Sequence, residues 1–191
     1  DKVSQRMEEE KMGIIIMEMI GQVQDSRFYP TFSGVAQSYN YYPTSYINRN
    51  DGVSYVALGL GKTVVDGNKS LRFCPKYPSL IHQFYSIKST IDSSQNQFYA
   101  LNMNKGKNPI YKGESHNLKL CNLDIAEKDG QLKYIGSVIP KNEGILRDSL
   151  SYNGMRIASF NNILKWEIFP LSNILDELLE FGKKSLGCPV E

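Results

Sequence analysis

The run Gly59-Leu60-Gly61-Lys62-Thr63 is the first place where this sequence could do chemistry, because glycines followed by a lysine and a hydroxyl residue are the parts of a phosphate cradle. A P-loop needs a further glycine where this chain has Val56, so that backbone N–H groups can wrap the phosphate. A dinucleotide fingerprint fails in the same way, since its third glycine falls on Val64. The glycine pair is expected instead to make a tight turn that uses positive φ. His82 and His116 are the two histidines, and neither stands beside a cysteine or carboxylate group that would make a metal site or a triad. Cys74, Cys121 and Cys188 are odd in number, widely spaced and free of any CxxC pattern, which suggests neither a disulfide framework nor zinc. Asn68-Lys69-Ser70 fits the glycosylation triplet, a match too short to carry weight without a secretory route. The tyrosines Tyr39, Tyr41, Tyr42 and Tyr46 are the other candidates, since exposed aromatic rings can stack on sugars or bases.

These residues must be held by a domain of ordinary size. A chain of 191 residues with 41% hydrophobic content is long enough for one ordinary domain with a core, or for one domain with an elaborated insertion. Twenty-two basic and 20 acidic residues leave a net charge of +2, which gives no single-sign field to draw nucleic acid or an anionic membrane. The longest apolar run, Gly13 to Ile20, is interrupted by Glu18 and falls well short of the roughly 20 residues of a membrane span. A reducing, cytoplasmic location is expected. The chain opens on Asp1 and closes on Gly187-Cys188-Pro189-Val190-Glu191, which reads as entry into a strand, so both ends are expected to be cuts in a larger protein.

Along the chain, residues 4 to 11 read as the end of a charged helix, and Met12 to Ile20 as a buried strand dense in isoleucine and methionine. Ser33 to Tyr42, Val53 to Leu58 and Ser70 to Phe73 read as strands divided by turns at Asn50-Asp51-Gly52 and Asp66-Gly67-Asn68, with a short element at Thr63 to Val65 between them. Residues 12 to 78 thus predict a β-meander. Gln97 to Met103, Leu118 to Ile125, Lys133 to Ile139 and Met155 to Phe160 are further strand candidates, with Asp129-Gly130 as a hairpin turn and Asn104 to Asn117 as a polar loop. The last element is a helix in which Leu171, Ile174, Leu175, Leu178 and Leu179 form a core-facing stripe, Ser172 the N-cap and Gly187 the stop.

Taken in order, several segments resemble the ATP-binding domain of the phosphoenolpyruvate synthase and pyruvate phosphate dikinase family. An apolar strand, Ile14 to Ile20, precedes Ser33-Gly34-Val35; the turn Gly59-Leu60-Gly61 leads to Val64-Val65 and Gly67; and a helix precedes Pro189-Val190-Glu191. Arg156 to Leu164 and Phe169-Pro170-Leu171 are similar to the larger bacterial synthase-like members. Lys62 departs from the glutamate that many members carry after the GLG turn, and Ser115-His116-Asn117 shares too little with the TSH-type phosphohistidine motif to be adopted.

The resemblance implies an α+β, ATP-grasp-like subdomain, a mostly antiparallel β-sheet with a C-terminal packing helix. Residues 1–191 would be a partial nucleotide-binding domain elaborated at 79–150. It implies an adenine hinge at Met17, Glu18, Met19 and Ile20, where the Glu18 C=O and Ile20 N–H would meet the donor and acceptor on one edge of the base. No catalytic residue and no metal ligand would lie in this part. ATP and Mg²⁺ would serve the parent enzyme, a phosphotransferase that makes phosphoenolpyruvate from pyruvate through a phosphohistidine. The partners would be the N-terminal ATP-grasp half and the phosphohistidine domain, with no nucleic acid or membrane. The alternative is a non-catalytic β-rich binding module built on the Tyr39 to Tyr46 aromatics.

Overall fold

The computed structural model describes residues 13–44, 46–105, 117–141 and 143–191. The expected helix end at 4 to 11 and most of the polar loop before Asn117, with His116, lie outside the described residues. The chain is mixed α+β, its sheets antiparallel. Strands β1 (Gln22–Gln24) and β2 (Arg27–Tyr29) form a hairpin that pairs through β2 with β6 (Gln97–Asn102), and β6 pairs with β7 (Leu118–Asn122). A second sheet has the simple order β3 (Ser33–Gln37), β4 (Val53–Ala57), β5 (Leu71–Phe73), the meander the sequence predicts. Strands β8 (Gly136–Pro140) and β9 (Gly154–Ala158) make a separate pair.

Helices join these layers: α1 (Lys62–Val65), α2 (Ile87–Ser93), α3 (Leu123–Lys128), α4 (Leu132–Ile135), α5 (Asn161–Leu164) and α6 (Leu171–Leu186). Alternation along each strand sends one face inward. Val56, Leu71 and Phe73 from the meander meet Tyr29, Phe98, Ala100 and Cys121 from the larger sheet in one core, which Leu132, Ile135, Phe160 and Leu164 extend toward α4 and α5. A partly buried ion pair ties the layers at one end: Arg27 Nη2 donates to Asp129 Oδ1 at 2.8 Å and Tyr29 Oη donates to Asp129 Oδ2 at 2.6 Å. Burial, with this hydrogen bond, pushes the Tyr29 phenol well above its ordinary range.

Several expectations need correction. The segment 13–20 forms no strand; Ile14, Ile15, Ile16, Met17 and Ile20 are each more than three-quarters exposed, because no described strand offers an edge beside it. Leu123 to Ile125 is helical rather than strand, as is the start of the Lys133 to Ile139 segment, so Asp129-Gly130 links two helices and not a hairpin. Gly130, at φ 73°, supplies the left-handed residue that ends α3. Helix α6 starts at Leu171 behind Pro170, without a side-chain cap from Ser172. Its apolar stripe splits: Leu171 is buried and Leu175 packs on the core, while Ile174, Leu178 and Phe181 face outward. Gly187 does stop the helix, in the left-handed conformation with its N–H on the Lys183 carbonyl. Among the described residues no helix is long and apolar enough to cross a membrane.

Asp148 gathers the last third of the chain. Its Oδ1 accepts from Ser137 Oγ at 2.9 Å and Asn161 Nδ2 at 2.8 Å, and its Oδ2 from Trp166 Nε1 at 2.9 Å. Burial works to raise this carboxyl's pKa, but these donors and Lys165 outweigh it and hold it below the usual aspartate range. A depressed folded pKa means stability that is present above the unfolded value and lost as pH falls through the folded one. Trp166 is the single tryptophan, so its emission reports this step directly. Acid titration should change the emission with a midpoint below about pH 4, the ordinary aspartate value. Asp148→Asn should remove the step and cost about 1–3 kcal/mol in urea unfolding; an emission change centred above that pH would contradict the assignment.

Candidate functional site

Strand β3 is the element on which the resembling segments meet. Gly34 stands opposite Val56 in the β3–β4 register, and a Cβ there would run into the Tyr55 carbonyl oxygen, so only glycine permits this approach. One residue earlier, Ser33 Oγ donates to the Gly59 carbonyl at 2.7 Å, fastening the SGV segment to the GLG turn. Gly59 has φ 83°, and an added Cβ would lie 2.7 Å from the Tyr99 carbonyl. The expected tight turn is therefore present, and it is crowded as well as left-handed.

Two more contacts hold that turn. Leu60 N donates to the Tyr99 carbonyl at 2.9 Å. Gln95, buried, accepts from Leu58 N at 2.7 Å and donates to the Leu58 carbonyl at 2.9 Å, so its side-chain amide replaces a strand partner for the backbone leaving β4. Lys62, in the phosphate-cradle position of the discarded motif, pairs with Asp66 at 2.9 Å across one turn of α1. Beside it lies a recess of about 230 Å³ lined by Thr63, Asn68, Lys69, Gln95 and Tyr99.

At its other end β3 receives the last residues of the chain. Ser38 N donates to the Val190 carbonyl at 2.9 Å, and Val190 N donates back to Ser38 Oγ at 2.9 Å. Gly182 in α6 leaves room for this return, since a Cβ there would come 3.1 Å from Val190 Cγ2. A small groove of about 130 Å³ runs between Tyr39, Tyr41 and Pro189 to Glu191. Of the four clustered tyrosines only Tyr39 and Tyr41 are ring neighbours among the described residues, 5.0 Å apart and edge-to-face; Tyr42 and Tyr46 project into solvent.

The residues expected to form the hinge, Met17, Glu18, Met19 and Ile20, are exposed and in no regular element ahead of β1. The Glu18 carbonyl and Ile20 N–H make no hydrogen bond among the described residues, which leaves free the two groups an adenine edge requires, and no described side chain roofs them. Among the described residues no group of three His, Cys, Asp or Glu side chains is placed to hold a metal ion. Cys74 and Cys121 are buried with thiols pushed up by desolvation, and Cys188 is exposed.

One constellation was missed in the sequence. Tyr55 pairs with Arg72 while Val56 pairs with Leu71, so Arg72 lies on the sheet face turned away from the core. There it lines a half-enclosed cavity of about 210 Å³ with Asn40, Thr44, Ile47, Tyr55 and His82. Its only sequence signal is a single arginine in the apolar triplet Leu71-Arg72-Phe73.

Comparison of the chain with protein-family models, with curated proteins and with solved structures finds no match. Gln95→Leu keeps volume but strands the buried N–H and C=O of Leu58. It should destabilise the chain by about 2–4 kcal/mol in urea unfolding; a change within about 0.5 kcal/mol would show that the amide does not act as a strand surrogate.

Proposed function

We propose that this chain forms one wall of the nucleotide cleft in an ATP-dependent phosphotransferase of the phosphoenolpyruvate synthase and pyruvate phosphate dikinase kind, within an ATP-grasp-like domain. The observation that carries the reading is the convergence on β3. The SGV segment, the GLG turn and the Pro189-Val190-Glu191 segment are far apart in sequence, yet Ser33 bonds to Gly59 and Ser38 exchanges two hydrogen bonds with Val190. The GLG turn thus lies against Ser33 at the start of β3, and the C-terminal segment against Ser38, the residue just past its end.

In this reading the free Glu18 carbonyl and Ile20 N–H take the adenine edge, with Met17 and Met19 available to flank the ring. Burying these apolar side chains against the other half of the enzyme would remove the cost of exposing them. ATP and Mg²⁺ belong to the assembled enzyme. Phosphoryl transfer depends on positioning and on cationic stabilisation of the phosphates, and the family resemblance assigns those groups to other parts of the enzyme. The chain alone should therefore bind nucleotide weakly.

Calorimetry of the 191-residue chain with Mg-ATP should give a dissociation constant no tighter than about 100 µM, with no steady hydrolysis. A submicromolar constant would contradict the division of the site. The parent protein, supplied with ATP, Mg²⁺ and pyruvate, should form phosphoenolpyruvate through an acid-labile phosphohistidine, and a parent that forms neither would overturn the assignment.

A further inference from the structure

We infer that the cavity on the outer face of β4 and β5 is a binding site for a small organic carboxylate with a short apolar chain. The inference is independent of the nucleotide reading, because none of the hinge or GLG residues lines this cavity. Its chemistry follows from which hydrogen-bonding groups the protein has already used. Arg72 Nη2 donates to Asn40 Oδ1 at 2.9 Å and to the Tyr42 carbonyl at 2.7 Å, which fixes the guanidinium against the 38–44 segment. Its Nε and Nη1 donate to no protein acceptor, and no carboxylate lies within ion-pair distance among the described residues.

Asn40 is 2% exposed, and its Oδ1 accepts from both Tyr42 N and Arg72 Nη2. Those two donors fix the amide's orientation, with Oδ1 turned toward Arg72. Thr44 Oγ1 is enclosed and has no hydrogen-bond partner among the described residues. A buried polar atom left unpaired costs on the order of 1–3 kcal/mol, so the enclosed Thr44 hydroxyl beside the unused Arg72 donors points to an occupant that accepts hydrogen bonds. Arginine presents a planar fork that fits a carboxylate or a phosphate.

The walls and the volume choose between these anions. Ile47, Val53, Tyr55 and Leu80 make much of the remaining lining apolar, which leaves a doubly charged phosphate poorly solvated but suits a carboxylate with a hydrocarbon body. About 210 Å³ is room for roughly seven water volumes, and lies below the ~300 Å³ at which drug-sized pockets begin, so a nucleotide does not fit. The glutamine Gln83 keeps the wall in place, accepting from Arg72 N at 2.7 Å and donating to the Ser70 carbonyl at 3.0 Å.

The test is a titration of the isotopically labelled 191-residue chain, followed through backbone amide resonances, with butyrate in one arm and inorganic phosphate in the other. Butyrate should produce saturable shifts at Asn40, Thr44 and Arg72 with a dissociation constant on the order of 1 mM or tighter, and phosphate should bind about tenfold more weakly. Arg72→Gln should abolish saturation. Because that change also removes the bonds to Asn40 and Tyr42, Thr44→Val serves as a second variant, expected to fold normally and to bind butyrate about three- to tenfold more weakly. Linear shifts without saturation, phosphate binding as tightly as butyrate, or unaltered affinity in the folded Thr44→Val chain would each overturn the inference.

Discussion

Everything that could serve function in this chain hangs on the close approach of β3 to β4 at Gly34. With hydrogen in place of a side chain, the strand can lie against the Tyr55 carbonyl, which lets Ser33 reach Gly59 and sets the direction in which the chain leaves the sheet toward Ser38. From that single strand the two ends of the proposed cleft wall are positioned. The GLG turn lies at one end and the returning C-terminal segment at the other. Neither could be held by β3 if the meander were shifted by one residue, since a slip reverses which side chains face the core.

The same face logic explains why a polar cavity lies on the face of β4 and β5 turned away from the core. Val56, Leu71 and Phe73 go inward and build the core, so their neighbours Tyr55 and Arg72 must go outward. Residues 38–44 and 46–48 flank that outer face, with Ile47 buried and Asn40 bonded to Arg72. Glutamine plays a repeated part at the margins: Gln95 pairs with the backbone of Leu58 and Gln83 with that of Ser70 and Arg72. Both are side-chain amides standing where another strand would otherwise be, which is how short strands leave few backbone groups unpaired.

The meander was legible because its signals are local. Turn residues at Asn50 to Gly52 and Asp66 to Asn68 bracket β-rich runs, and no tertiary contact competes with that pattern. The region after Leu118 was less so, since Leu123 to Ile125 and Lys133 to Ile135 are too short for helical periodicity to show against apolar content shared with strands. The apolar run at Ile14 to Ile20 reads as buried by composition alone, and composition cannot say whether its covering partner lies within these residues. The SGV and GLG segments stand out in the sequence only through their resemblance to a family pattern. The Arg72 cavity does not, because it depends on a register and on a loop folding back, neither of which has a sequence motif.

The central claim is that β3 joins the GLG turn and the C-terminal segment into one wall, and amide hydrogen exchange at Ser38 and Val190 tests it most directly. Both amides donate to a partner across the seam, so both should exchange far more slowly than those of Cys188 and Glu191, which make no such bond. Exchange of Ser38 and Val190 at the rate of those free neighbours would mean that the C-terminal segment does not join β3, and that the wall described here is not formed.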